Sequence, residues 1–101
     1  MASRIKAPRN KIEQFCRKYH LRKLALFGSV LRDDFRPDSD IDVLVEFEPQ
    51  AGIGYFELYD MEQELSRIFG GRTVEINTAK SLSRYYRDEV IAEAEVQYDK
   101  T

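Results

Sequence analysis

Residues 40–48 read Asp-Ile-Asp-Val-Leu-Val-Glu-Phe-Glu. Ile41, Val43, Val45 and Phe47 fall on one side of an extended chain; Asp40, Asp42, Glu46 and Glu48 share the other with Leu44. A two-residue period sustained this long fits a strand and refuses a helix. One face must pack on a core, so the chain has to build a sheet. The opposite face carries acids whose presence needs a reason.

The flanking sequence supplies helices to cover such a sheet. Ile12, Phe15, Cys16 and Tyr19 recur at helical spacing and predict a helix starting near Pro8, since proline suits a first turn. Cys16 lies in the apolar stripe and reads as core; His20 ends the helix as a surface residue. Lys23 to Phe27 is a short apolar run stopped by Gly28, read as a buried strand, and Ser29 to Arg32 as a short helix. Residues 35–39 form a turn around Pro37, Asp38 and Ser39. Residues 49–54 are a loop. Tyr55 to Phe69 predicts a helix with Leu58, Met61, Leu65 and Ile68 inward, ended by Gly70-Gly71. Arg72 to Asn77 predicts a strand with Val74 and Ile76 on one face and Thr73 and Glu75 on the other. A last helix, capped by Ser81 or Ser83, runs to about Glu93, and Val96 and Tyr98 alternate as a short closing strand. The order αβαβαβα, with that closing strand, predicts an α/β (α+β) architecture: a small mixed sheet flanked by helices.

At 101 residues, with 43% hydrophobic side chains, the chain suits a single domain spanning 1–101 with one modest core. Residues 1–6, polar and basic, are expected to be loosely held. One cysteine excludes an internal disulfide and disfavours a cysteine metal site; a reducing, cytoplasmic setting fits. No apolar run is long enough to span a membrane. The net charge of −2 hides an asymmetry: residues 1–24 hold eight Lys or Arg against Glu13, and residues 25–101 hold eight against 17 Asp or Glu. The basic segment could meet phosphates or an acidic partner, but it reads most simply as the solvated face of the first helix.

Asp40 and Asp42 point the same way from the mouth of a strand, with α-carbons about 7 Å apart. Carboxylates so placed repel unless a cation lies between them. Mg²⁺ meets this need, since it commonly combines one or two carboxylates with substrate phosphates. Alone, such a pair is more often a solvated strand face. Gly28-Ser29 changes the balance. Glycine permits a tight turn, and the amides that follow can meet phosphate. If the two strands are neighbours, an anion site and a cation site coincide.

Gly28-Ser29, ten residues, then Asp40-Ile41-Asp42 resembles the G-S-x10-D-x-D signature of the polymerase β-like nucleotidyltransferase superfamily. The stretch LFGSVLRDDFRPDSDIDVLVEF resembles its minimal nucleotidyltransferase family, short proteins paired with HEPN toxins in prokaryotic toxin–antitoxin modules of the MntA type. The resemblance is close over residues 24–48 and looser beyond.

It implies a polymerase β-like fold and these roles. Gly28 and Ser29 hold the β- and γ-phosphates of ATP; Arg32 assists, and Ser39 adjoins the nucleotide. Asp40 and Asp42 bind two Mg²⁺ ions, and Glu75 is the third metal-binding, catalytic carboxylate. The implied activity is Mg²⁺-dependent transfer of AMP from ATP to a hydroxyl, a tyrosine of the HEPN partner, silencing that toxin. The alternative is a module that neutralises its partner by docking alone. No stable binding to nucleic acid is expected. Two departures stand out: Asp33 follows Arg32 where glycine is usual, and Glu75 stands where Asp is usual.

Overall fold

A computed structural model describes residues 8–31, 36, 39–49, 51–52 and 54–100, apart from the side chains of Ser29 and Tyr55. The expected loose segment 1–6 lies outside the described residues.

Helix α1 spans Arg9–Lys18, with Pro8 at its N-cap and the Pro8 carbonyl accepting from the Ile12 amide at 3.0 Å. Its buried residues are Ile12, Phe15 and Cys16, while Arg9, Lys11, Arg17 and Lys18 are exposed. The basic N-terminal charge of the described helix is thus a solvated face. His20 is exposed with φ 57° and turns the chain. Burial pushes the Cys16 thiol up to about 12, which makes it a core side chain rather than a nucleophile.

Strand β1, Leu21–Phe27, begins two residues earlier than the apolar run announces. The early start follows from antiparallel pairing with β2, Ile41–Phe47, which holds Leu21 opposite Phe47 across an irregularity at Arg22. Helix α2, Tyr55–Ile68, then returns the chain so that β3, Val74–Asn77, lies parallel to β2. A parallel partner requires such a crossover. The Glu57 carboxylate accepts from the Gly54 amide at 3.1 Å at the start of α2, and Gly70 and Gly71, at φ 78° and 92°, end it. Helix α3, Arg87–Glu93, leads into β4, Glu95–Asp99, antiparallel to β1. The sheet order is β3-β2-β1-β4, a mixed sheet as expected.

Three local expectations give way. Residues 28–31 form one 3₁₀ turn rather than an α-helix. Neither Ser81 nor Ser83 caps α3: Thr78 caps a 3₁₀ turn over Ala79–Ser81, and α3 begins only at Arg87 with no side-chain cap. Val96 and Tyr98 do not share a face. A shift in the β1–β4 register sets Tyr98 opposite core-facing Leu24 and Val96 opposite Ala25 on the other side.

One face of the sheet is covered. Ile41, Val43 and Val45 join Leu24 and Leu26 in a cluster with Ile12, Phe15 and Cys16 of α1 and Met61 and Leu65 of α2. Leu58 and Ile68, expected inward, pack against this cluster half-buried. Edge strand β3 is partly closed by α2, where the Glu62 carboxylate accepts from the Ile76 amide at 3.0 Å.

Candidate active site

The acids of β2 lie on the sheet face that α1 and α2 leave open. Pairing decides what joins them. Antiparallel register sets Asp42 opposite Phe27, the last residue of β1, so the chain turns at Gly28 immediately beside it. Parallel register sets Asp42 opposite Glu75 of β3. Residues in register share a face, so Phe27, Asp42 and Glu75 form a row across three strands, and Gly28 turns the chain at the end of that row, against the Asp42 carboxylate.

Gly28 carries the tightest constraint. Its φ is +77°, and a Cβ built there would stand 2.4 Å from an Asp42 carboxylate oxygen and 3.3 Å from its carbon. Any side chain at residue 28 would displace that carboxylate or the backbone. Glycine therefore meets two demands, a left-handed turn and close approach of an acid to the main chain. The 3₁₀ turn that follows, Gly28–Leu31, is anchored by buried Val30 and Leu31. It brings the backbone of Ser29 to the row; the Ser29 side chain and Arg32 lie outside the described residues, as do Asp33 and Asp38.

Asp40 is exposed, one residue ahead of β2. Its position is set by a small turn. The Ser39 amide donates to the Arg36 carbonyl at 3.0 Å, and the Arg36 amide donates to Ser39 Oγ at 3.0 Å. The Ser39 hydroxyl therefore holds the turn beside Asp40. Arg72 Nη1 also donates to the Arg36 carbonyl, at 3.1 Å, and the Ile41 amide donates to the Thr73 carbonyl at 2.8 Å. These bonds tie the approach to β2 to the approach to β3, and so tie Asp40 and Asp42 to Glu75. Sequence reasoning passed over Arg72, since a lone arginine at a strand entrance carries no pattern.

Glu75 is exposed between buried Val74 and half-buried Ile76. Among the described residues, no three His, Cys, Asp or Glu side chains are gathered into a metal site. Asp42 and Glu75 share a face in register, and Asp40 stands exposed one residue ahead of β2. Their donor set still fits Mg²⁺: all oxygen, from Asp42 of β2, Asp40 just ahead of it and Glu75 of β3, a set that substrate phosphates commonly complete.

Beyond this row the open face continues into a trough of about 580 Å³. Ala25, Leu44 and Glu46 belong to its floor strands; Lys80, Ile91 and Val96 come from its sides.

Comparison with known proteins identifies the family. The family described as "Polymerase beta, Nucleotidyltransferase" matches residues 10–101. A Methanocaldococcus jannaschii protein, provisionally named protein adenylyltransferase MJ1379, is 34% identical over 76 residues, 75% of each chain. Protein adenylyltransferase MntA of Thermococcus cleftensis is 31% identical over 55 residues, 54% of each. A solved structure provisionally described as a minimal nucleotidyltransferase superposes with TM-score 0.69 at 31% identity, covering 85% of each chain. A toxin–antitoxin structure with AMP-PNP shares the fold, with TM-score 0.70 at 21% identity over 91% of this chain and 73% of that one. The chain thus belongs to the polymerase β nucleotidyltransferase family.

Proposed function

We propose that this nucleotidyltransferase moves AMP from ATP to a hydroxyl on a partner protein, at the site where Gly28 adjoins Asp42 and Asp42 pairs with Glu75. The observation that carries the reading is the packing of the Asp42 carboxylate over the α-carbon of Gly28, with Glu75 in register on the other side. Phosphates held by the backbone of residues 28–30 would then lie directly beside the carboxylates. Asp40 and Asp42 would hold Mg²⁺, with Glu75 as third ligand. Bound there, Mg²⁺ neutralises the phosphates and stabilises the attacking and leaving oxygens of an in-line displacement.

The chain's own residues divide the remaining work. Gly28 and Ser29 orient the β- and γ-phosphates. Glu75 stands on the far side of Asp42 from Gly28, where an attacking hydroxyl would approach. It accepts that hydroxyl's proton as the oxygen bonds the α-phosphorus and the α–β bridging bond breaks to release pyrophosphate. The acceptor we infer is a tyrosine of a HEPN-type toxin, by analogy with relatives named protein adenylyltransferase and with toxin–antitoxin structures of this fold. The setting is the cytoplasm; no described helix is long and apolar enough to cross a membrane.

A second reading, partner neutralisation by docking alone, draws on Phe56 and Tyr59 of α2, which are 87% and 62% exposed. Purified partner incubated with the protein, ATP and Mg²⁺ separates the two. The expected result is a mass gain of one AMP on the partner, mapped to a tyrosine and absent without Mg²⁺. A stable complex with unmodified partner would instead favour docking.

A further inference from the structure

We infer that Arg72 is a positioning residue for Asp40: its guanidinium pins the turn before Asp40 to the approach to β3, and so sets how tightly that carboxylate takes a divalent cation. This inference rests on the proposed active site and deepens it. The two aspartates are held differently. Asp42 lies inside β2, in register with β1 on one side and β3 on the other. Asp40 is exposed one residue ahead of β2, before the first residue in register with either neighbour. Two hydrogen bonds hold the chain on either side of it. After it, the Ile41 amide donates to the Thr73 carbonyl at 2.8 Å; before it, Arg72 Nη1 donates to the Arg36 carbonyl at 3.1 Å. Both anchors come from the adjoining residues 72 and 73, so Asp40 stands between two ties to one short segment.

The bonds form a clasp. The Arg36 carbonyl also accepts from the Ser39 amide at 3.0 Å, so both of its lone pairs are used. The Arg36 amide donates to Ser39 Oγ at 3.0 Å. The turn is thus closed on itself by its own main chain and Ser39, and Arg72 ties the closed unit to the sheet. Arg72 is half-buried and precedes Val74 by two residues, as Ser39 precedes Ile41, the register partner of Val74. A guanidinium suits this task, because its planar fork holds a donor at a fixed angle. The consequence is preorganisation. A carboxylate whose main chain is already held gives up less conformational freedom when an ion binds. Groups that orient a metal ligand without touching the metal commonly change affinity by about ten- to a hundredfold. Charge alone has the opposite sign: a cation at the neighbouring turn repels a divalent ion, so its removal would strengthen binding. The direction of the change therefore separates positioning from charge.

Titration of the nucleotide-free protein with Mn²⁺, which suits the same carboxylate ligands as Mg²⁺ and is read by the paramagnetic resonance of the free ion, tests this together with amide hydrogen exchange. Arg72→Ala should weaken Mn²⁺ binding about tenfold. In the metal-free protein it should also speed exchange of the Ser39 and Ile41 amides and leave exchange within β1 as in wild type. Arg72→Met, which keeps the apolar stem and loses every donor, should do the same and serves where Arg72→Ala does not fold. Unchanged or tighter Mn²⁺ binding by a folded variant would overturn the inference, whatever the exchange shows. So would weaker binding with unchanged exchange at Ser39 and Ile41, because the turn would then not carry the effect. Failure of the active-site reading looks different: Asp40→Asn would then bind Mn²⁺ as wild type does.

Discussion

The two faces of this sheet are made from the same strands and obey different rules. On the covered face, Ile41, Val43 and Val45 are almost wholly buried among α1 and α2, and among the described residues no charged side chain is buried with them. On the open face, the residues between them are Asp42, Leu44 and Glu46, and they meet a glycine turn, a third acid and a trough. Burial of apolar area stabilises the first face in proportion to the area removed from water. The second face gains nothing comparable from its acids, which stay exposed or half-buried. A β-strand's period of two lets one nine-residue segment serve both ends at once. Stability and chemistry are divided by side-chain parity.

That division predicts which changes should hurt which property. The largest effect belongs to Asp42→Asn, which should abolish transfer of AMP while the melting temperature holds or rises, because one member of a repelling acid pair becomes neutral. Mass spectrometry of the acceptor and a thermal melt check the two halves; full transfer by the variant would remove Asp42 from the mechanism.

Gly28→Ala tests the seam between the faces. The added Cβ meets the Asp42 carboxylate and holds a left-handed backbone that alanine disfavours, at a cost of about 1 kcal/mol or more in stability. Transfer should fall by roughly a hundredfold, since small misplacements of catalytic groups carry penalties of that order. A variant with lowered stability but wild-type turnover would show that the approach of Asp42 to Gly28 is structural only.

On the covered face, Leu65→Ala should leave a cavity and cost about 2–5 kcal/mol in denaturant unfolding. Nucleotide affinity, measured well below the melting temperature, should change little. Loss of affinity in the folded variant would mean that the faces are coupled more tightly than parity suggests.

The smallest effect concerns the Glu48–Lys100 ion pair where β2 and β4 end on either side of β1. The Lys100 hydrogen bond holds the Glu48 carboxyl below the usual carboxylate range, and Glu48 in turn raises Lys100. Glu48 thus adds stability above its unfolded value of about 4.3 that is lost as pH falls through its folded value; Lys100 adds stability below about 10.4 that is lost as pH rises through its folded value. Lys100→Ala should therefore lower stability slightly and evenly around neutrality, and the two proteins should converge as pH falls through the folded value of Glu48 or rises through that of Lys100. Melting temperatures of the two proteins across pH check this: curves that coincide at neutral pH would show that the pair adds nothing.

Much of this was legible in the sequence because periodicity is local. The alternation from Asp40 to Glu48, the helical spacing of Ile12, Phe15, Cys16 and Tyr19, and the Gly70-Gly71 stop each register physical forces within a few residues, and each fixed an element before any contact was known. The resemblance around Gly28-Ser29 and Asp40-Ile41-Asp42 identified the family on the same stretch. Tertiary structure alone decided which elements became neighbours. Leu21 joined β1 because β2 offered it a partner, and Val96 left the core face because the β1–β4 register slips there. Thr78, rather than Ser81 or Ser83, became a cap because the chain turns directly after β3. The register of Glu75 with Asp42, the seat of that carboxylate on Gly28, and the trough beyond Leu44 depend on pairings between residues ten to seventy positions apart. No local period records such a pairing: hydrogen bonds between strands satisfy the backbone whatever the side chains, and only packing of the whole core selects the register.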